Sequence, residues 1–174
     1  MDRGRGLAHR DRHQQWWQNQ IDTLKTQAAG YDAVAGQLGA RDGVPRLLST
    51  LDTEGHAAIA LRNPDTAQDV VTYVPGTGAK ISEIDAGTSR AEAMRRSAEL
   101  ADPSKATSVV TWYGYDAPQS VTGEAPKAVY ADNAAEPLDS FQDGLRVTHE
   151  GPRATDTVVG HRHRGCGRRS RHGR

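Results

Sequence analysis

The chain has 174 residues, 36% of them hydrophobic, and its 22 basic and 22 acidic residues give a formal net charge of zero. That length suits one domain with a real core, and without a run of about 18 apolar residues no membrane span is expected. The neutrality is uneven: Gly160 to Arg174 holds six arginines and no acid, so the remainder carries 16 basic against 22 acidic residues, a net of −6, and gives no electrostatic reason to bind nucleic acid specifically.

A single cysteine, Cys166, excludes an internal disulfide and fits a reducing compartment. The basic start lacks the apolar core of a secretory signal, so the expected location is cytoplasmic. Residues 1–15 are polar and read as a disordered arm. Residues 16–29 have helical spacing, with Trp17, Ile21, Leu24 and Ala28 on one face and Gly30 as the stop. Trp16 and Trp17 are expected to pack against the body, the alternative being an exposed binding anchor. A second, weak helix is expected over 32–38.

From Arg46 the period changes. Residues 46–51 read as a strand, 52–55 as a turn and 56–61 as the returning strand of a hairpin. His56 lies in that hairpin, where a structural or solvent-facing role is expected in place of catalysis. Residues 70–74, a β-branched and aromatic run, read as a strand covered on both faces. A helix is expected over 88–101, capped by Thr88 or Ser89 and ended by Asp102-Pro103. The next strand covers 107–112. Residues 124–149 read as mostly helical with a break or kink near Pro137, Leu138, Phe141 and Leu145 sharing a face. The last strand is 155–159. Helices between strands imply parallel pairing and an α/β fold with helices on both faces of the sheet. Function then gathers in loops at the carboxyl ends of the strands.

Three such loops follow strands. Pro75, Gly76, Thr77 and Gly78 form a glycine turn whose backbone N–H groups can face a negative oxygen. It lacks the spacing and lysine of a phosphate-binding loop, so no nucleotide is expected. Tyr113, Gly114, Tyr115 and Asp116, continuing to Pro118, open the second loop, and Gly160 and His161 open the third. Together, Val74-Pro75-Gly76-Thr77-Gly78, Trp112-Tyr113-Gly114-Tyr115-Asp116-Ala117-Pro118 and Thr157-Val158-Val159-Gly160-His161 resemble the strand ends of an uncharacterised α/β-hydrolase family found mainly in actinobacteria.

The resemblance implies a Ser-Asp-His triad on an α/β-hydrolase fold, acting on an ester-like or amide-like bond of a small-molecule substrate it does not name. It implies that residues 75–78 form one wall of an oxyanion site and that 113–118 line the pocket. It implies that Gly160-His161 should continue into serine on a strained strand-to-helix elbow flanked by glycines. Here Arg162 stands at the serine position and Arg164 at the second glycine. A protonated arginine is no acyl-transfer nucleophile. The triad acid and histidine follow the serine in chain order, and no residue of the sequence matches either, so no catalytic residue is intact. Ser170 is not at the elbow.

Residues 162–174 contain no leucine, valine or isoleucine, so a packed helix is not expected there. His161, His163, Cys166 and His172 match no metal spacing, and no metal or cofactor is expected. The arginine-rich end can bind anions nonspecifically. Its Arg, Gly, His, Cys and Ser composition is that of a GC-rich gene read out of frame, which the other two nucleotide frames would test. The expected organisation is a polar arm and helical segment over 1–43, a partial α/β-hydrolase domain, truncated at its C-terminal side, over 44–161, and a disordered tail over 162–174. The expected function is that of an inactive fragment of a serine hydrolase. The alternative is a non-catalytic interaction protein using the Trp16-Trp17 helix and the basic ends.

Overall fold

The computed structural model describes residues 3–76, 78–115 and 127–160, with backbone alone at 3–11 and 127–133. Its centre is a five-stranded sheet. The strands are β1 (Arg46–Leu51), β2 (Ala57–Leu61), β3 (Asp69–Val74), β4 (Thr107–Tyr113) and β5 (Thr155–Gly160), in the order β1-β2-β4-β3-β5. β1 pairs antiparallel with β2, and β2 with β4; β3 pairs parallel with both β4 and β5. Both parallel pairings are reached through long helical connections, α2 (Ile84–Ala101) between β3 and β4 and α3 (Lys127–Thr148) between β4 and β5. A helical arm, α1 (Arg3–Leu38), precedes the sheet. The architecture is therefore α/β with a mixed sheet.

Alternation along the strands divides the core into two sides. Ala58, Ala60, Val110 and Trp112 face Leu138, Phe141 and Leu145 of α3. Ala57, Ile59 and Tyr113 face Val34 of α1 and Ile84 of α2, and Leu61, Tyr73 and Val109 face Ala91 and Met94 of α2. β2 and β4 are buried at every residue. Three of the five β2 positions are alanine, Ala57 on one face and Ala58 and Ala60 on the other, and such small side chains let helices approach the sheet closely from both sides. Burial brings polar groups inside as well, and several of these find partners, although the Thr111 hydroxyl has none among the described residues. Ser108 donates to the Arg62 carbonyl (3.1 Å), and Gln142 Nε2 donates to Thr72 Oγ1 (2.7 Å).

Four sequence expectations are corrected. The segment over 3–38 is a single helix, in place of a disordered arm, a helix ending at Gly30 and a second weak helix. Gly30 is buried inside α1, and a Cβ there would overlap Cγ2 of Ile81, so this glycine serves a close approach to the body and not a stop. Trp16 and Trp17 do not pack on the body: each is 52% exposed, and their rings meet edge to face at 4.7 Å. The helix expected from Thr88 begins one turn earlier, at Ile84, directly after a 3-10 turn over Ile81–Glu83. Ile84 is fully buried, and Thr88 bonds back to the Ile84 carbonyl (2.9 Å) inside the helix instead of capping it. α3 runs through Pro137 as one element. Among the described residues no helix is long and apolar enough to cross a membrane.

Candidate functional site

The carboxyl ends of β3, β4 and β5 lie at one end of the parallel half of the sheet, and the loops singled out in the sequence follow them. Val74, the residue before Pro75, is in register with Gly160 across the β3–β5 pair. The glycine turn after β3 and the end of β5 are thus neighbours because of strand register, although 85 residues apart in sequence. Pro75 is buried, and the turn closes through Ala79 N–H donating to the Gly76 carbonyl (3.1 Å). Gly78 has φ +81 with open space around its Cβ position, so backbone conformation, not crowding, favours glycine there.

The loop after β4 is tied to this turn. The Tyr115 hydroxyl donates to the Pro75 carbonyl (2.9 Å), and its ring stacks on Trp112 at 5.9 Å. Burial pushes the Tyr115 hydroxyl above its ordinary pKa. Gly114 allows the chain to pass the Trp112 indole, which a Cβ would overlap. Tyr113 points to the opposite face of the sheet, under α2, where its hydroxyl lies 3.4 Å from the Glu83 carbonyl and against Gly87. Burial, with the nearby Tyr73 and Glu83, raises that hydroxyl to about 12, so it stays protonated at neutral pH. Pro75, Gly76, Gly78, Gly114, Tyr115 and Gly160 are therefore brought together, and Tyr113 is not with them. Thr77, Asp116, His161 and Arg162 lie outside the described residues, as does the tail over 162–174.

A cavity of about 350 Å³ adjoins the α3 side of this end, lined by Trp112, Gly114, Phe141, Ser140, Asp52 and His56 among others. Its polar corner was not singled out as a site in the sequence. His56 Nδ1 lies 2.7 Å from Asp52 Oδ2, while Asp52 Oδ1 accepts the backbone N–H groups of Glu54 and His56, each at 2.9 Å. Burial alone would raise the Asp52 carboxyl, but these hydrogen bonds outweigh it and hold it below the usual value. The arrangement closes the β1–β2 hairpin, the structural role expected of His56. Asp52, Glu54 and His56 offer ligand atoms within 4.8 Å of one another, the one such group among the described residues. A larger cavity of about 390 Å³, lined by Arg146, His149 and Arg153 over Val70 and Leu145, sits at the amino end of β5, away from these loops.

β5 ends at Gly160 beside the loop between β3 and the following helix, and a mixed sheet with parallel strands joined by crossover helices is the architecture of α/β hydrolases. Comparison with known proteins agrees: residues 52–165 match the family described as alpha/beta hydrolase, more than half of the chain. The chain belongs to the alpha/beta hydrolase family. Two curated proteins from two strains of Mycobacterium tuberculosis, both described as uncharacterised, are 37% identical over 113 residues, covering 62% of this chain. The matched stretch spans only 17% of the length of those relatives. No solved structure gives a significant match.

Proposed function

We propose that this chain is a non-hydrolysing member of its family. The observation that carries the reading is Arg162, which follows Gly160-His161 at the position where the family elbow requires serine. An arginine side chain stays protonated and cannot open an acyl-enzyme step, and its bulk disfavours the tight elbow. Loss of a triad nucleophile alone costs on the order of 10⁶ in turnover. Hydrolysis of an ester or amide through a serine acyl-enzyme is the activity that the resemblance suggests for members with an intact elbow. In this reading residues 75–78 and the Tyr115 loop keep the frame of an oxyanion site and pocket without the chemistry. Pure protein is expected to show neither p-nitrophenyl ester turnover that a serine inhibitor abolishes nor labelling by a fluorophosphonate. Inhibitor-sensitive turnover would overturn the proposal, whereas slow hydrolysis by surface histidines would persist with inhibitor and leave it standing.

The exposure of Trp16 and Trp17 favours a second reading, an interaction protein working through α1. The same labelling experiment separates this reading from a serine hydrolase.

A further inference from the structure

Every residue of α1 from 12 to 26 is exposed, yet the helix continues unbroken into the turn at Gly30, Tyr31 and Val34 that docks on the body. Residues 3–26 therefore extend from the docked turn as about 36 Å of helix, taking ~1.5 Å per residue. In proteins most helical stability comes from packing of an apolar face, yet this segment carries Trp16, Trp17, Ile21 and Leu24 at 52%, 52%, 43% and 63% exposure. Trp17, Ile21, Leu24, Ala28 and Tyr31 follow one another in alternating steps of four and three. That repeat is the seam of two packed helices, and the stripe runs without a gap into the surface already docked on the body.

We propose that a second copy of this chain covers the stripe, the two α1 helices pairing antiparallel. This deepens the interaction reading above by naming the occupant. Area supports it: the four side chains leave roughly 450 Å² of apolar surface per chain, taking about 180–250 Å² for each when fully exposed. Two copies, with the aliphatic stems of the flanking glutamines, reach the ~1,200 Å² at which stable interfaces begin.

Charge supports the direction. Residues 1–12 carry four arginines against two aspartates, while residues 13–159 carry 12 basic against 20 acidic residues, a net of −8. With Trp17 opposite Ile21 of the second copy, residues 3–12 of one helix run beside residues 26–35 of the other. That docked end is bordered by exposed acids: Asp32 on the helix itself, Asp52, whose carbonyl accepts the Tyr31 hydroxyl (3.0 Å), and Asp85, whose carboxylate accepts Gln37 Nε2 (2.8 Å). A parallel pair would instead set the two basic ends together. Opposed macrodipoles favour the same antiparallel direction, and a chain of zero net charge does not repel its copy.

Sedimentation equilibrium of the full chain across the micromolar range tests this. The expected result is a dimer that weakens with added salt, and whose dissociation constant rises ~30-fold or more in the double variant Ile21→Lys/Leu24→Lys. The thermal transition of the body should stay in place, since both residues are exposed in the single chain. For direction, chains with Cys166→Ser and Gln14→Cys are mixed with chains carrying Cys166→Ser and Leu24→Cys. Mixed disulfides are expected in preference to like-with-like ones. A monomer at every concentration, a dimer indifferent to the double variant, or like-with-like disulfides alone would overturn the proposal. A monomer that still escapes fluorophosphonate would remove the second copy while leaving the broader interaction reading, so the two failures are distinguishable.

Discussion

Two glycines of α1 have opposite meanings, and a methyl group tells them apart. Gly30 faces Ile81 with no room for a Cβ, whereas Gly36 has nothing within 4 Å of that position. Alanine favours a helix interior over glycine by about 1 kcal/mol. Gly36→Ala is therefore expected to raise stability by ~0.5–1 kcal/mol, and Gly30→Ala to lower it by ~1–3 kcal/mol through overpacking, both read by urea denaturation. At the candidate site the Tyr115 hydroxyl is the link between two strand-end loops. Tyr115→Phe is expected to cost ~1 kcal/mol and to speed amide exchange in the loop after β3. The glycine turn at 75–78 was legible as a tight turn from its residues. Tyr115 was legible only as a loop aromatic, since the partner it bonds lies 40 residues away.

At the scale of the element, α2 carries a connected network of ion pairs. Arg95 is buried to 7% side-chain exposure. Its guanidinium reaches both Glu92 oxygens (2.8 Å each) and Glu99 Oε1 (2.6 Å), and Arg96 adds a bond to Glu92 (2.7 Å). The hydrogen bond from Arg95, opposed by burial and joined by Arg96, holds the Glu92 carboxyl at about 2 against an ordinary 4.5. A depressed folded pKa stabilises the fold above the unfolded value and loses that contribution as pH falls through the folded one. The melting temperature is thus expected to decline between pH 4.5 and about 2, and Glu92→Gln to flatten that decline while lowering stability at neutral pH by ~1–3 kcal/mol. Circular dichroism melts across that range measure both. The helix itself was legible from its apolar spacing over 91–101. Its true start was not, because Ile84 joins it only through burial against the sheet and Thr88 looks like a cap in any local reading.

At the scale of the whole molecule, the sheet of the described residues has two unpaired edges, β1, which exposes Leu47, Leu48 and Leu51, and β5. β5 pairs only with β3, and Val158 is 48% exposed on its α3 side. An unpaired edge strand with uncovered valine is a template for association. The chain is expected to be marginal and to form aggregates larger than a dimer on heating, while Val158→Lys should suppress these at a cost within ~0.5 kcal/mol. A sharp transition above about 60 °C without aggregation, seen by circular dichroism and size-exclusion chromatography, would contradict this. What the sequence alone determined is what short-range chemistry encodes: five strands from apolar and β-branched runs bounded by turn residues, two crossover helices, the glycine turn after β3, and an arginine after Gly160-His161. The tertiary structure alone decided which of these residues meet. Register set Val74 beside Gly160, strand alternation sent Tyr113 under α2, the chain at Gly114 beyond the strand end brought Tyr115 back over Trp112 toward Pro75, and close packing on Ile81 carried α1 through Gly30. Local propensity is blind to all of these, because each depends on a neighbour supplied by a distant part of the chain. It also left the tryptophans of α1 uncovered, since a helical stripe records that a face is apolar and not what will cover it.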